Sequence, residues 1–266
     1  MIEEKKSAVK EQFNKDSNQY LSKHLTSEKI REKDRILNLV FDKIKYQKVL
    51  DIGCGPGTIS EDLLEISEQV WGIDISEDMI KIATDRFNKT KFNTIIHFDV
   101  GDAENLKFPD QFFDAVFCIG VLRYLDSWEN GLHEIYRVLK PNGIVVITFY
   151  YRFSPHWFSM YFLYRPLLPL ISLFKRRSIR ELIIKYKAEP LPISYKRFRK
   201  SLAIAGFKHL ITQHSGFDLF PFNRLFPKLS RAIYLMAETA LYDSNKLGWL
   251  GSICLVKGMK IENSND

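Results

Sequence analysis

Short apolar runs alternate with helix-like segments through most of this 266-residue chain. The runs "KVLDIG", "QVWGIDIS" and "NTIIHFDV" resemble buried strands, whereas "TISEDLLEIS" and "EDMIKIATDRFN" repeat apolar residues at helical spacing. Strands separated by single helices form right-handed crossovers, which require a parallel sheet with helices on both faces. Four later runs also read as strands: "FFDAVFCIGV", "GIVVITFYY", "FKHLITQHS" and "LGSICLVKG". The sequence therefore predicts an α/β fold with a doubly wound, mostly parallel, seven-stranded sheet.

The predicted elements divide the chain into four segments. Residues 1–43 are predicted to form an N-terminal helical cap, and residues 44–150 the core that carries a glycine-rich loop. Residues 151–192 form an aromatic and basic insertion. Residues 193–266 complete the core and include a second, helical insertion at about 217–247.

Composition narrows the class of protein. Hydrophobic residues make up 45% of the chain, which is enough for a packed core. Cys54, Cys118 and Cys254 are far apart and form no CxxC pair, which argues against a disulfide framework and against a metal site. The first 20 residues are charged throughout and lack the apolar segment of a secretory signal. We therefore predict a cytoplasmic protein without a bound metal.

Positive charge is concentrated between Tyr151 and Ser230, where 15 Lys and Arg face three acids. Within this region, "PHWFSMYFLYRPLLPLISLF" contains one charge, Arg165, and is followed by "KRRSIR". Its two prolines and the central arginine disfavour a membrane-crossing helix. Apolar aromatic segments flanked by basic residues are typical of elements that lie in a lipid interface. The alternative is a lid that closes over a substrate, and the two roles are compatible. We predict a peripheral contact with an anionic membrane, a lid, or both.

The stretch "KVLDIGCGPGTISEDL" predicts a ligand site. A strand, a glycine loop and a helix start place main-chain N–H groups at the carboxyl edge of the sheet, where open α/β sheets bind ligands. Gly53, Gly55 and Gly57 allow close approach and unusual dihedral angles. Asp74 ends the next strand and can accept hydrogen bonds from two ribose hydroxyls. These features fit any cofactor that contains a nucleoside.

Three further residues discriminate among such cofactors. Thr58 stands where a dinucleotide fingerprint has Gly or Ala, and no GxxxxGK[ST] pattern is present. Asp51 precedes the loop and would repel a pyrophosphate by about 4 kcal/mol at about 4 Å. Asp102 adds a third acid at the same edge. Such acids favour S-adenosylmethionine, whose ammonium, ribose and adenine amine would face Asp51 (directly or through water), Asp74 and Asp102. The alternative is a tight turn with acids at strand ends and no ligand.

The motifs "VLDIGCGPG", "GIDIS", "GDAENLKF", "FDAVFCIGVL" and "LKPNGIVVIT" resemble those of class I S-adenosylmethionine-dependent methyltransferases, nearest to the small-molecule and quinone-biosynthesis branch. The resemblance covers roughly Phe13 to Phe149 and implies the Rossmann-like methyltransferase fold. "FNKDSNQY" resembles that branch's N-terminal helix, which implies that Tyr20 lies over the cofactor. It also implies that Cys118 and Ile119 contact the methionyl part, that Ile75 and Met79 contact the adenosine part, and that Ala103 belongs to the cofactor site. Packing at the sheet edge is the alternative for Ile75, Met79, Cys118 and Ile119.

One motif departs from the family pattern. Many relatives have paired histidines after the fourth strand, where this chain has Arg123 and Tyr124, so a role borrowed from those histidines does not carry over. Arg123 has two readings, a contact to an acidic substrate group or a surface salt bridge. A general base is needed only if the nucleophile enters protonated. The candidates are His24, Tyr150, Tyr151 and His156, each with a structural role as the alternative.

We predict a methyltransferase that acts on an oxygen or carbon nucleophile of a small, hydrophobic or lipid-like molecule. The chain has "CIGV" where enzymes that methylate nucleobase amines have [DNS]PP[YFW], and Cys118 has no adjacent proline, as a cytosine C5 enzyme would require. Both departures disfavour nucleic acid as the substrate. The alternatives are an RNA methyltransferase and a non-catalytic, membrane-associated regulator that binds the cofactor.

Overall fold

The structure, a computed structural model, describes residues 2–24, 45–151, 154–159, 162, 193–217, 227–241, 247 and 250–261. Its strands are β1 (Tyr46–Ile52), β2 (Ser67–Asp74), β3 (Ile96–Val100), β4 (Phe113–Cys118), β5 (Leu139–Tyr150), β6 (Phe207–Ser215) and β7 (Ile253–Lys260). Its α-helices are α1 (Ile2–His24), α2 (Thr58–Leu63), α3 (Glu77–Phe87), α4 (Trp128–Val138), α5 (Pro155–Phe158), α6 (Tyr195–Ile204) and α7 (Pro227–Leu241). A 3₁₀ helix spans Leu122–Tyr124.

The seven strands form one sheet in the order β3-β2-β1-β4-β5-β7-β6. All neighbours are parallel except β7, which runs antiparallel to β5 and β6. This arrangement confirms the predicted doubly wound, mostly parallel sheet. The chain moves outward from β1 to β3 and then returns to β4 on the other side of β1. The order thus reverses between β1 and β4, and ligands bind open α/β sheets at the carboxyl end of such a reversal.

The central strands are buried on both faces because helices cover both sides of the sheet. Val49, Leu50 and Ile52 of β1 are almost fully buried. One layer of the core includes Leu132, Ile135 and Val138 of α4, and the other includes Leu63 of α2 and Phe87 of α3. Burial on both faces explains why these strands read as continuous apolar runs instead of an alternating pattern.

Side-chain hydrogen bonds and ion pairs fasten the polar helix α1 to the core. Lys10 pairs with Glu77 of α3 at 2.7 Å, and the Lys5 ammonium donates to the carbonyl oxygen of Leu125. Ser76, which caps α3, donates its hydroxyl hydrogen to the side-chain oxygen of Asn14. Residues 1–43 were predicted to form the helical cap, and α1 accounts for residues 2–24 of it. Residues 25–44 lie outside the described residues.

Only short parts of the two predicted insertions are described. In the first, α5 is followed by Phe162, and the ring centres of Phe158 and Phe162 lie 4.8 Å apart with the rings tilted by 36°, while each residue is 60% exposed. The basic run "KRRSIR" lies outside the described residues. In the second insertion, α7 is described. Among the described helices, none combines the length and apolar character needed to cross a bilayer.

Candidate functional site

A cavity of about 460 Å³ lies at the carboxyl ends of the central strands. Loops after β1, β2, β3 and β4 form its walls, with Thr148 and Tyr150 from the end of β5. Helix α1 contributes Lys6, Val9, Phe13 and Tyr20 to the lining. The cavity therefore occupies the reversal of strand order, where the sequence placed the ligand site.

The glycine loop has the backbone that close ligand approach requires. Gly53, Gly55 and Gly57 have φ angles of 71°, 52° and 76°, in the left-handed region that favours glycine. A Cβ atom added to Gly53 would lie 2.1 Å from Cγ2 of Val121. The N–H groups of Gly53 and Cys54 donate to the carbonyl oxygen of Ile73, which fixes the loop against β2. The loop thus presents bare backbone to the cavity, and glycine at its start cannot be replaced without a clash.

Asp74 joins this loop to the start of α3. Its two carboxylate oxygens accept the N–H groups of Gly55 and Ser76, each at 2.9 Å. Burial raises the pKa of Asp74, while the backbone hydrogen bonds from Ser76, Gly55 and Ile75 oppose that increase. A carboxylate offers about four acceptor positions, so positions remain for hydroxyl groups inside the cavity. Binding of the ribose by Asp74 stays a prediction, and the geometry is compatible with it.

Three residues predicted to contact the cofactor do not line the cavity, namely Asp51, Gly57 and Cys118. Asp51 is 1% exposed and accepts the hydroxyl hydrogen of Ser60 at 2.6 Å. Burial raises the pKa of Asp51 to about 7, with the Ser60 hydrogen bond opposing the increase and the charge of Asp74 adding to it. The Cys118 side chain packs in the core, which was the alternative reading for that residue. A direct contact of the Asp51 carboxylate with an ammonium group is therefore not supported by this geometry, and a contact through water stays a prediction.

Asp102 lies at the end of the cavity beyond β3, and its carboxylate is paired with a lysine of α1. Asp102 Oδ1 accepts the N–H of Glu104 at 2.9 Å, and Oδ2 accepts from Lys6 Nζ at 2.7 Å. The same ammonium group lies 3.0 Å from Glu104 Oε2. Burial alone would lower the pKa of Lys6, but hydrogen bonds to the two carboxylates raise it overall. Lys6 had no sequence signal, because it is one lysine among many on a polar helix.

An arginine and several aromatic residues form another part of the lining. The Arg123 guanidinium lies 3.7 Å from the ring centre of Tyr150 and donates to the hydroxyl of Tyr124 at 2.8 Å. Arg123 Nε is buried and has no hydrogen-bond partner among the described residues. The Phe13 ring packs edge-on against Tyr124 at 5.2 Å and Tyr20 at 6.2 Å. Phe13 and Tyr124 were not predicted as site residues, although the sequence singled out Arg123 for a possible acidic group.

The remaining predicted residues divide between the cavity and its surroundings. Those that line the cavity are Tyr20, Ile75, Met79, Ala103, Ile119 and Tyr150. Tyr151 and His156, two of the candidate bases, do not line it. His24 is the last residue of α1, and its side chain lies outside the described residues. Tyr150 is therefore the candidate base that the described structure brings to the cavity.

The fold and this cavity define a Rossmann-like methyltransferase, and comparisons with known proteins agree. Residues 50–147 match the family described as "Methyltransferase domain". The chain is 30% identical over 192 residues to the ubiquinone/menaquinone biosynthesis C-methyltransferase UbiE of Geotalea daltonii, covering 66% of this chain and 77% of that one. It is 33% identical to the demethylmenaquinone methyltransferase of Symbiobacterium thermophilum, covering 50% of this chain and 55% of that one. A Thermotoga maritima structure, an S-adenosylmethionine-dependent methyltransferase described as a possible histamine N-methyltransferase, matches with a TM-score of 0.60 at 20% identity, covering 93% of this chain and 98% of that one.

The chain belongs to the class I S-adenosylmethionine-dependent methyltransferases, in the branch that includes quinone-biosynthesis enzymes. Its cofactor is S-adenosylmethionine, as the sequence predicted. The residues present fit this group: Gly53 and Gly55 line the cavity with bare backbone, and the Asp74 and Asp102 carboxylates can accept hydrogen bonds from hydroxyl and amino groups.

Proposed function

We propose that this enzyme transfers the methyl group to a carbon or oxygen nucleophile of a hydrophobic ring compound that carries an ionisable hydroxyl group. Support comes first from the relatives, whose names specify quinone biosynthesis and, for one of them, C-methylation. These relatives differ in how much of their length the chain spans, so the acceptor does not follow from their names alone. The cavity supplies the independent argument.

The acceptor would lie against the apolar and aromatic part of the lining. That part consists of Val9, Phe13, Tyr20, Val121, Tyr124, Tyr150 and Ile253. Removing apolar surface from water contributes roughly 25 cal/mol per Å², so a planar ring gains more from this lining than a charged metabolite would. Aromatic side chains also favour edge-on and offset contacts with a bound ring.

Arg123 is the single observation that carries the proposal. Its Nε is buried at the cavity and lacks an acceptor among the described residues, while its guanidinium lies over the Tyr150 ring. A buried donor on a charged group that stays unpaired is costly. An ionised hydroxyl oxygen of the acceptor would supply the missing partner, and a phenol-like ring provides such an oxygen beside a nucleophilic carbon.

Methyl transfer requires the protein mainly to align the nucleophile with the methyl group. S-adenosylmethionine supplies an activated methyl group on a positively charged sulfur. Arg123 would hold the acceptor oxygen in its ionised form, so the electron pair is available on that oxygen or on the adjacent ring carbon. If the acceptor enters protonated, its proton must pass to a base, and Tyr150, which lines the cavity, would serve as that base only in its phenolate form. The aromatic side chains of α1 would exclude water from the reacting atoms.

We also propose a peripheral contact with an anionic membrane, because a lipid-like acceptor is delivered most directly from a bilayer. The neighbouring rings of Phe158 and Phe162 are exposed and follow β5, whose end forms part of the cavity lining. Exposed aromatic pairs are suited to the lipid interface.

The test is methyl incorporation from labelled S-adenosylmethionine into a panel of acceptors. The panel contains a 2-polyprenyl-1,4-naphthoquinol, its oxidised quinone, a sterol, phosphoethanolamine and bulk RNA. Transfer to the quinol but not to the quinone is the expected result, because only the quinol has an ionisable hydroxyl. Preferential transfer to phosphoethanolamine or RNA would contradict the proposal. Cofactor binding without transfer to any acceptor in a lipid extract would favour the non-catalytic regulator.

A further inference from the structure

The part of the chain that contains α6 and β6 carries positive charge without any acid. Residues 193–217 contain five Lys and Arg and no Asp or Glu. Helix α6 is held to the core by Phe198 and Leu202, which are buried. The outward positions of this helix are all exposed, and they are Lys196, Arg197, Arg199, Lys200, Ala203 and Ile204. The outer side of α6 therefore presents four cations.

Three of these cations have no acidic partner among the described residues. Arg197 is paired, since its guanidinium lies 2.7 Å from a carboxylate oxygen of Glu129 on α4. Lys196, Arg199 and Lys200 form no ion pair in the part of the chain that the structure describes. These three, here called the basic face, are spaced three and four positions apart along the helix. Like charges at this spacing repel one another.

The basic face is also unfavourable for the helix that carries it. Ser194 caps the N-terminus of α6 by accepting the N–H of Arg197 at 3.2 Å. The N-terminal end of a helix carries positive partial charge, so acids stabilise it and cations do not. Helix α6 has no acid in its first turn and no basic residue in its last turn. A bound anionic partner would relieve both the repulsion and the unfavourable position.

The basic face begins beside the cavity. The N–H of Ile193 donates to the carbonyl oxygen of Tyr150 at 3.1 Å, and Ile193 forms a β-bridge with Tyr151. Tyr150 lines the cavity, and α5, which carries the exposed Phe158, starts four residues after Tyr151. Helix α6 therefore starts where β5 ends, next to the cavity and to the segment with the exposed rings.

The apolar residues around the basic face favour lipid over other anionic partners. The exposed ones in residues 193–217 are aliphatic: Ile204, Leu210 and Ile211. The aromatic residues of this stretch are buried or half-buried, whereas proteins that bind single-stranded RNA stack its bases on accessible aromatic rings. Cations beside exposed aliphatic side chains are typical of a lipid interface. A second copy of the chain would bring like charges together.

We propose that the basic face of α6 binds the phosphate headgroups of an anionic bilayer. The inference rests on the proposed function, in which a lipid-like acceptor is delivered from the membrane. It adds an electrostatic contribution to the contact assigned to Phe158 and Phe162. Stable anchoring at a membrane usually takes two signals, of which a basic patch is one. The basic face then holds the cavity entrance at the bilayer and has no part in the chemistry.

The test is sedimentation with vesicles of phosphatidylcholine alone and with vesicles that also contain phosphatidylglycerol, at low and high NaCl. The variant Lys196→Gln/Arg199→Gln/Lys200→Gln removes the basic face. The matched control replaces three other exposed lysines by glutamine, namely Lys81, Lys89 and Lys91. They lie on and just after α3, which packs on β3 at the edge of the sheet opposite to β6. Both variants lose the same net charge.

The natural chain should bind the mixed vesicles at low salt and release them at high salt. Each Lys or Arg near an anionic surface contributes about fivefold, so loss of the basic face should lower the partition coefficient about a hundredfold. The control should change it by less than about fivefold, because its charges lie far from the contact. The melting temperature of the basic-face variant should be no lower than that of the natural chain, since the removed cations lie at the unfavourable end of α6.

Equal losses in the two variants would overturn the proposal, because net charge alone would then explain vesicle binding. It would also be overturned if the basic-face variant kept vesicle binding and instead lost a gel shift with bulk RNA, or lost a dimer in size-exclusion chromatography. Nucleic acid or a second copy would then be the partner.

Methyl transfer separates this inference from the proposed function. For a quinol embedded in mixed vesicles, kcat/KM should fall in the basic-face variant together with binding, while kcat/KM for a detergent-dispersed quinol stays unchanged. Transfer to the dispersed quinol by a natural chain that binds no vesicles would refute the membrane contact alone. Vesicle binding that depends on the basic face, without transfer to any quinol, would refute the proposed function and support the contact.

Discussion

Gly53 and Val121 face each other so closely that a Cβ atom on Gly53 would lie 2.1 Å from Cγ2 of Val121. Gly120 has a similar φ angle, 77° against 71°, but a Cβ there would meet nothing within 4 Å. We therefore expect Gly120→Ala to cost about 1–2 kcal/mol of stability from backbone strain alone. Gly53→Ala should cost clearly more and should also weaken cofactor binding. Denaturant unfolding and calorimetry measure both effects, and equal costs at the two positions would contradict the clash.

Replacing Asp74 by alanine should weaken S-adenosylmethionine binding by tenfold or more. The change removes the proposed ribose acceptor. It also leaves the N–H groups of Gly55 and Ser76 without the Asp74 carboxylate, which accepts both at 2.9 Å in the natural chain. Loss of one hydrogen bond to a charged group accounts for roughly 1.5–3 kcal/mol. Asp99→Ala is the matched control, because Asp99 is an exposed acid on the neighbouring strand β3. Unchanged affinity in Asp74→Ala would refute the assignment.

The buried Asp51 should make stability fall as the pH rises. Burial raises its pKa from the ordinary value of 3.8 to about 7, so the folded protein holds a proton that the unfolded chain releases. The contribution is fully present below about pH 4 and is lost as the pH rises through about 7, by up to about 1.4 kcal/mol per pH unit between these values.

Asp51→Asn removes this titration while leaving a side-chain oxygen for Ser60. Thermal unfolding of the variant should therefore depend less on pH than that of the natural chain between about pH 4 and pH 7. Parallel stability curves for the natural chain and Asp51→Asn would show that Asp51 does not titrate in this range.

Arg123→Met should lower kcat/KM for the quinol acceptor by about a hundredfold while leaving the cofactor dissociation constant unchanged. The substitution keeps the packing over Tyr150 but removes the charge that would hold an ionised hydroxyl. Arg197→Met is the control, because Arg197 also lies near an aromatic ring, that of Trp128, but is exposed and does not line the cavity. A loss of cofactor affinity equal to the loss of kcat/KM would point to a structural role instead.

Replacing Phe158 and Phe162 together by serine should abolish association with phosphatidylglycerol vesicles in a flotation assay. Each residue is 60% exposed, so the change costs little core packing. Met236→Ser on α7 is the control, as another highly exposed apolar side chain. Retained vesicle binding with lost turnover on a detergent-dispersed acceptor would identify a lid instead of a membrane contact.

The sheet could be predicted because its signals are local. Each strand is an apolar run of the right length, and the glycines and Asp74 follow strands directly. Boundaries were less accurate where tertiary pairing decides them. Helix α4 ends at Val138, because Leu139 already pairs with Phe113 of β4. Asn142, with φ at 61°, then bends the chain inside β5, four residues after that helix ends.

The missed site residues depend on contacts between distant parts of the chain. Lys6 of α1 contacts Asp102, which lies 96 positions later in the chain. Phe13, also in α1, packs its ring against Tyr124. Thr148 lies within an apolar strand, yet its hydroxyl accepts the N–H of Gly120 at 2.6 Å on the cavity wall. Conversely, Asp51 and Cys118 lie at strand ends next to loops that line the cavity. The Cys118 side chain nevertheless packs in the core, and the Asp51 carboxylate faces Ser60. The sequence pattern indicates that a residue lies at a strand end, but packing in the folded protein decides where its side chain points.

Helix α1 precedes the elements on which it docks, so it is translated before they are. Its partners Glu77, Asp102 and Leu125 follow β2, β3 and β4 along the chain, so the last of them is translated after four of the five parallel strands. A polar helix gains most of its stability from packing, so α1 has no docking surface until those strands have assembled. The methyl donor pocket is therefore finished last, and a nascent or truncated chain that lacks the sheet has no means of capturing the nucleoside.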